Sequence, residues 1–390
     1  MRRVIPFLTL LLPTVATALE VSAKSAIIMD ADTGKVLWSK DPDTKRYPAS
    51  TTKIMTALLL IERCLPSEVI TAPKDVQKVT GASLHLKPGE KVAAGEMLYA
   101  LMLRSANDGC YAVARHIGGS VAGFAKLMNE RARAIGCTNT EFHNPHGLNN
   151  DKHVTTARDL ALITREAIKY ETFNRVAATH KHTIKRSINK DDILLISKNK
   201  SLKHDPTADG IKTGYTNPAG QCFVGSATRD GYRLITVVLR SEGWHDDNKA
   251  MLDWAFENHE RRLVARAGEP LTQAEVRGGE AAQVPLVAEK DVYVVVRKGT
   301  AAVPPKMRLE GPEALDAPVS RGQRVGHVLV ADGSGFEQRV AVMAAEDVGA
   351  ARTMLGVGQS LSRSHLMFAL FLGACGYYVR KRARRMRLSF

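Results

Sequence analysis

Two hydrophobic rhythms divide the chain. Ala26 to Met29 and Lys35 to Ser39 are short β-type runs separated by Asp32-Thr33-Gly34, which predicts a β-hairpin. From Ser50 to about Tyr170 the apolar spacing lengthens to that of helices, over the Ser50 stretch, Gly95 to Leu103, Asn107 to Ile117, Val121 to Ile135 and Thr156 to Lys169. The segment "QCFVGSATRDGYRLITVVLRS" returns to alternation and turns at Arg229-Asp230-Gly231, a second hairpin, and Asp246 to Glu257 reads as a closing helix. Strands at both ends of a segment with helices between predict one antiparallel sheet, assembled from distant pieces and covered by helices, in the α/β (α+β) class. Beyond Arg262 the pattern changes again. Asp291 to Arg297, Gln323 to Val330 and Gln338 to Met343 are short β-type runs among Gly and Pro, which predicts a small all-β domain.

The two ends have a different character. Arg2 and Arg3 precede an apolar run from Val4 to Leu12 and then Ala16-Thr17-Ala18, the form of a secretory signal peptide cut after Ala18. Leu366 to Val379 is an uncharged run of 14 residues, followed directly by "RKRARRMR". As a helix it spans ~21 Å, and extension back to Leu361 approaches the ~30 Å hydrocarbon core of a bilayer. We read it as a membrane-anchor segment, spanning or interfacial, with its cations on the cytoplasmic side and the body outside. The expected organisation is therefore residues 1–18 signal peptide, 19–262 helix-covered sheet domain, 263–350 β-rich domain, and 351–390 anchor with basic tail.

Charge adds little beyond this. The formal +15 falls to about +7 once the eight cations at the two ends are set aside, and no basic-aromatic alternation accompanies the rest, which argues against nucleic acid as a partner. Five cysteines (Cys64, Cys110, Cys137, Cys222, Cys375) lack any CxxC spacing and read as free thiols.

The candidate chemistry begins at "YPASTTKIMTALLLIE". Ser50 and Lys53 stand three apart at the start of a helix so apolar that it must be buried, so hydroxyl and amine share one side. A lysine near its reference pKa of ~10.4 is a poor base at neutral pH; burial and a neighbouring cation both lower that value. Two further pieces follow, Ser105-Ala106-Asn107 in "RSANDG" and Lys212-Thr213-Gly214 in "DGIKTGYTNPAGQCF". Taken alone, the three read as an N-capping serine, a helix cap at Asn107 or Asp108, and a turn before a strand.

In this order the three form the Ser-x-x-Lys, Ser-x-Asn, Lys-Thr-Gly set of penicillin-recognising serine enzymes. With the flanks "YPASTTKIMTA", "NPHGLNNDKHVTTARDLALI" and "IKTGYTNPAGQCFVGSA", Val21 to Phe256 resembles the low-molecular-mass penicillin-binding proteins, serine D-alanyl-D-alanine carboxypeptidases. The resemblance implies a β-lactamase/transpeptidase-like domain, no cofactor or metal, peptidoglycan stem peptides and β-lactams as ligands, and a role in peptidoglycan maturation and cell shape. It implies Ser50 as nucleophile, Lys53 as its base and Ser105 as proton relay to the leaving D-alanine. Asn107 would bind the peptide and hold Lys53, while Lys212 would lower the Lys53 pKa and, with Thr213, receive the terminal carboxylate. Gly214 would leave a strand edge open, and the backbone amides of Ser50 and Tyr215 would form the oxyanion hole. The interval from Ser50 to Ser105 is short for the family, which implies a trimmed loop near the groove.

Other readings compete. A class A β-lactamase shares the motifs and adds a deacylating glutamate, for which Glu141 in "EFHN" lies roughly in place; the middle residue Ala106 and the missing Leu-Asn ending depart from that pattern. A non-catalytic wall-binding relative would be expected to lose one of the motif residues. His143, His146 and His153 evoke a metal hydrolase, but without His-Glu-x-x-His they read as a surface loop. His180 and His182 read as a solvated charged segment, and Asp246 and Asp247 as dipole-favoured residues opening a helix.

Overall fold

The fold is described from a computed structural model of residues 19–301 and 303–351. The signal-peptide and membrane-anchor segments lie outside the described residues, apart from Ala351. Among the described residues no helix is long and apolar enough to cross a membrane.

In chain order the first unit holds β1 (Ser25–Asp30), β2 (Val36–Lys40), α1 (Lys53–Arg63), β3 (Val69–Thr71), β4 (Lys91–Ala93), α2 (Ala94–Tyr99), α3 (Asn107–Gly118), α4 (Val121–Ile135), α5 (Ala157–Ala167) and α6 (Glu171–Ala177). There follow β5 (Lys181–Thr183), β6 (Leu194–Ile196), α7 (Ser201–His204), β7 (Ala208–Thr216), β8 (Gly220–Arg229), β9 (Tyr232–Ser241) and α8 (Trp244–Asn258). The principal sheet is antiparallel, in the order β2-β1-β9-β8-β7. The amino-terminal strand therefore inserts beside a strand two hundred residues later, with Ile27 opposite Val237.

The sheet is buried on both faces because successive side chains point to opposite sides. Ile27, Met29, Val224, Ile235 and Val237 pack into the larger core with α1, α3 and α5. Ala26, Ile28, Phe223, Leu234 and Val238 form a second core with Met251, Leu252 and Phe256 of α8. Helix caps agree with the pattern: Ser120 and Thr156 accept from Gly123 N and Asp159 N at the starts of α4 and α5. Asp246 and Asp247 lie in the first turn of α8, as expected; Asp247 is in addition buried and accepts from Ser22 N (2.7 Å), Ala23 N (2.9 Å) and Ser241 Oγ (2.6 Å), anchoring residues 22 and 23. Cys64, Cys110, Cys137 and Cys222 are free thiols.

The remaining strands are β10 (His259–Ala265), β11 (Pro270–Arg277), β12 (Gln283–Val287), β13 (Val292–Arg297), β14 (Lys306–Glu310), β15 (Ala314–Asp316), β16 (Arg324–Ala331) and β17 (Glu337–Ala344). The second unit is built on a six-stranded sheet, β14-β16-β17-β12-β11-β15, with Val284, Leu286, Val328, Val330 and Val342 in its core. Strand β13, which the pattern assigns to the β-rich segment, pairs with β10. Residues Tyr293–Pro304 group with the first unit, and the second comprises, among the described residues, Leu263–Val292 and 305–351. Val295 explains this division, since it is buried in the core that contains Phe223 and Phe256.

Candidate active site

The chain enters the site through Pro48 and Ala49, whose φ of 48° lies in the left-handed region. A short 3-10 turn, Ala49–Thr52, carries Ser50 and runs into α1, so the α-helix proper begins at Lys53 and not at the serine. Ser50 makes no capping bond. Its Oγ lies 3.0 Å from Lys53 Nζ. Lys53 is fully buried, and its amine also donates to Asn107 Oδ1 (2.8 Å) and the His146 carbonyl (2.7 Å). Its three donor directions are thus used by three acceptors.

Burial pushes the Lys53 amine down to about 8; Lys198 adds to the lowering, while Cys110 and Asp108 oppose it. Lys212, also buried, is held well below the usual lysine range by burial and then by the charges of Lys53 and Lys198. The cation that lowers Lys53 is thus Lys198, not the expected Lys212, and Lys198 acts on both amines. Nothing in the local pattern of "ISKNKSL" distinguishes Lys198 from a solvated lysine.

The second motif arrives on a modified helix. After α2 the backbone widens into a π-helical turn, Ala100–Arg104, where a single helix to Leu103 was expected, and stops at Ser105 with φ 64°. Such a conformation costs ~1–3 kcal/mol for a non-glycine residue and is found at functional sites. The Ser105 hydroxyl is buried and has no hydrogen-bond partner among the described residues. Asn107 opens α3; its Nδ2 donates to Thr80 O (2.8 Å) and its backbone N–H to Ala82 O (2.7 Å). Buried Asp108 does not cap the helix but accepts from Leu84 N, Leu86 N and Ser83 Oγ, holding the 81–86 loop beside the site.

The third motif lies within β7, not in a turn before it. β7 is the outer strand of the sheet, so one ladder edge is free to face the cleft. A Cβ at Gly214 would stand 2.9 Å from Ser50 N, 3.1 Å from Thr51 N and 3.2 Å from Ala49 Cβ. Glycine here serves close approach of the strand to the Ser50 amide, in addition to leaving the edge open. Tyr215 is exposed, its hydroxyl donating to Asn217 Oδ1.

Ser50, Ser105, Asn107, Thr213, Gly214 and Tyr215 all line one cavity of about 560 Å³, with Lys53 and Lys212 buried against it. Its other walls include Lys198, Lys200, Gln221 and Trp244, none of which the sequence pattern singles out.

The histidine segment is no surface loop. Asn144 Oδ1 accepts from Gly147 N (2.7 Å) and its Nδ2 donates to Leu148 O (2.9 Å), a turn that presents the His146 carbonyl to Lys53. His153 is buried, accepts from His143 N on Nδ1 and contacts Thr52 Oγ1 through Nε2 at 2.9 Å, which assigns the neutral Nε2–H form. Burial pushes both His146 and His153 down to about 3. Glu141 is exposed, paired with His143 at 2.6 Å, and is not among the cavity residues. His182 is not simply solvated either: it stacks on Tyr99 at 3.6 Å and pairs with Glu96, while His180 Nε2 is buried.

Comparison with known proteins places this geometry. The family model described as D-alanyl-D-alanine carboxypeptidase matches residues 13–243, and that of the penicillin-binding protein 5 C-terminal domain matches residues 259–350. D-alanyl-D-alanine carboxypeptidase DacF of Bacillus subtilis is 31% identical over 84% of this chain and 86% of its own length. DacA of Escherichia coli is 31% identical over 84% of each chain. The solved structure of penicillin binding protein 5 from Haemophilus influenzae superposes with a TM-score of 0.70 at 28% identity, covering 85% of this chain and 99% of that one. On a match across most of its first unit and relatives aligned over both units, the chain belongs to the D-alanyl-D-alanine carboxypeptidase family.

Proposed function

We propose that this serine carboxypeptidase removes the terminal D-alanine from peptidoglycan pentapeptides through an acyl-enzyme on Ser50, and that β-lactams acylate the same serine. The observation that carries the reading is the Lys53 amine, buried, lowered to about 8 and 3.0 Å from Ser50 Oγ. Neutral Lys53 takes the hydroxyl proton as Ser50 Oγ attacks the carbonyl between the two D-alanines. The backbone amides of Ser50 and Tyr215 receive the oxyanion; one such donor is worth ~3 kcal/mol in comparable enzymes. As the tetrahedral adduct collapses, Ser105 passes a proton to the departing amine, a role supported by its buried, unpartnered hydroxyl. Water then cleaves the Ser50 ester.

Asn107 orients both Lys53 and the donor peptide, which pairs in extended form with the free edge of β7 beside Gly214. Thr213 offers its hydroxyl to the terminal carboxylate, while Lys212, with Lys198 and Lys200 on the cavity wall, supplies the positive field for it. We further assign residues 1–18 to an export signal and 351–390 to a tether, with catalysis on the extracytoplasmic face of the membrane. A lactamase function is less well supported, because Glu141 is exposed and engaged by His143.

The test is an intact-mass time course of the full chain with benzylpenicillin, paired with D-alanine release from a pentapeptide. A lasting adduct and D-alanine release are expected, with both lost in Ser50→Ala, and in Lys53→Ala with unchanged circular dichroism. Fast penicillin loss without a lasting adduct would make the protein a lactamase. An adduct on Ser50→Ala would remove Ser50 as nucleophile.

A further inference from the structure

Away from the cavity, three different donor types converge where α1 and α3 end. Cys64 is the C-terminal cap of α1, His116 lies in the last turn of α3, and Glu68 sits on the connection that follows α1. One ligand atom from each, Cys64 Sγ, a Glu68 carboxylate oxygen and a His116 ring nitrogen, lies within 4.8 Å of the others. Glu68 Oε1 and His116 Nε2 are 2.6 Å apart. Glu68 Oε2 accepts from Leu65 N at 3.3 Å, which turns the carboxylate toward the helix ends.

A tetrahedral zinc ion holds its N, O and S donors ~3.5 Å apart. The separations of 2.6 Å and up to 4.8 Å bracket that value, so side-chain rotation suffices to close the set. The donor chemistry selects the class of metal. Thiolate and imidazole with one carboxylate suit zinc and its borderline neighbours, whereas calcium and magnesium require oxygen donors. Two helix carboxyl ends also bring partial negative charge to the same place, which favours a cation there. The His116 and Glu68 side chains are 29% and 38% exposed, which leaves a path for a hydrated ion and a fourth position for water. As a bare surface pair, Glu68 and His116 would contribute little to stability, and the Cys64 thiol is hydrogen-bonded to the same Glu68 carboxylate, which keeps the three donors together.

We infer that Cys64, Glu68 and His116 form a binding site for a thiophilic divalent metal of the zinc class, joining the carboxyl ends of α1 and α3. Binding releases the Cys64 thiol proton to solvent, while His116 coordinates as neutral imidazole. The opposite ends of these helices carry Lys53 and Asn107, and the turn that carries Ser50 leads directly into α1. The metal therefore acts as a staple behind the site and takes no part in its chemistry.

The test is titration of the full, reduced, chelator-stripped chain with cobalt(II), followed by optical absorption. A thiolate-to-cobalt charge-transfer band is expected that saturates at one equivalent, is bleached by zinc but not by magnesium, and is lost in Cys64→Ser and in His116→Ala. Zinc should raise the Tm of the wild type and leave that of Cys64→Ser unmoved, with near-ultraviolet circular dichroism showing that each variant is folded. Absence of the band in folded wild type overturns the site. A band of unchanged strength in Cys64→Ser does so too, by putting the metal on another thiol, as does an equal zinc shift in both proteins.

Discussion

Lys53 can accept the Ser50 proton only when neutral, which ties acylation to its titration. With the amine pushed down to about 8, the rate of penicillin acylation should climb ~tenfold per pH unit below that value and level off above it. His146 and His153, both near 3, stay neutral across this range and should add no step at ordinary histidine pKa values. Acylation rates from pH 5 to 10 by quenched mass spectrometry check this; a single inflection near 6.5 would transfer the base role to a histidine. Gly214 gives a second expectation at this scale. Alanine there sets a methyl 2.9 Å from Ser50 N, so Gly214→Ala should lower the acylation rate ~100-fold, the scale of one lost oxyanion donor, with little change in Tm. An unimpaired variant would mean that the Ser50 amide does not serve the reaction.

At the scale of elements, the site depends on loops that are tied down by buried charge. Arg186 and Glu90 are both fully buried and paired at 2.6 and 3.0 Å; Arg186 also donates to Leu84 O and Asp192 O. This links the 84–90 loop to the β5–β6 segment that leads to Lys198. Removing one partner of a buried pair strands the other charge and typically costs ~3–5 kcal/mol, whereas an apolar replacement of both is far milder. Glu90→Ala should therefore destabilise the protein more than the double variant Glu90→Leu/Arg186→Met, as read by denaturant unfolding. The reverse order would show that the pair itself is the main contributor. Gly147 marks a second contact between elements: at φ 86°, with a Cβ that would fall 1.7 Å from Ala49 O, it allows the His146 turn to close under the Ser50 turn.

For the whole molecule, the division into units does not follow a single cut in the chain. Residues Tyr293–Pro304 return to the first unit, where Val295 joins a core with Ile28, Phe223 and Phe256. A chain ending at Ala265 keeps β10 (His259–Ala265) but loses that strand, and exposes the β10 edge and the face of this core. It should unfold several degrees below the full protein and aggregate more readily, in calorimetry and light scattering; equal Tm values would show that β13 contributes nothing to the first unit. The family models, by contrast, divide the chain once, into 13–243 and 259–350, so residues 293–304 fall in the C-terminal match although they group with the first unit.

Local spacing alone carries the Ser50–Lys53 pairing, the two hairpins, most helices and the order of the three motifs, because these follow from side-chain periodicity and, for Ser50 and Lys53, from residues three apart across a 3-10 turn that runs into α1. Protonation and proximity across the fold are different in kind. The neutral state of His153, the carbonyl that His146 offers to Lys53, and the approach of Lys198 depend on burial set by distant segments. So do the π-helical turn that places Ser105 and the return of β13 to the first unit. Desolvation and Coulomb interaction act through space between residues remote in sequence, so no window along the chain contains them, and packing alone makes them definite.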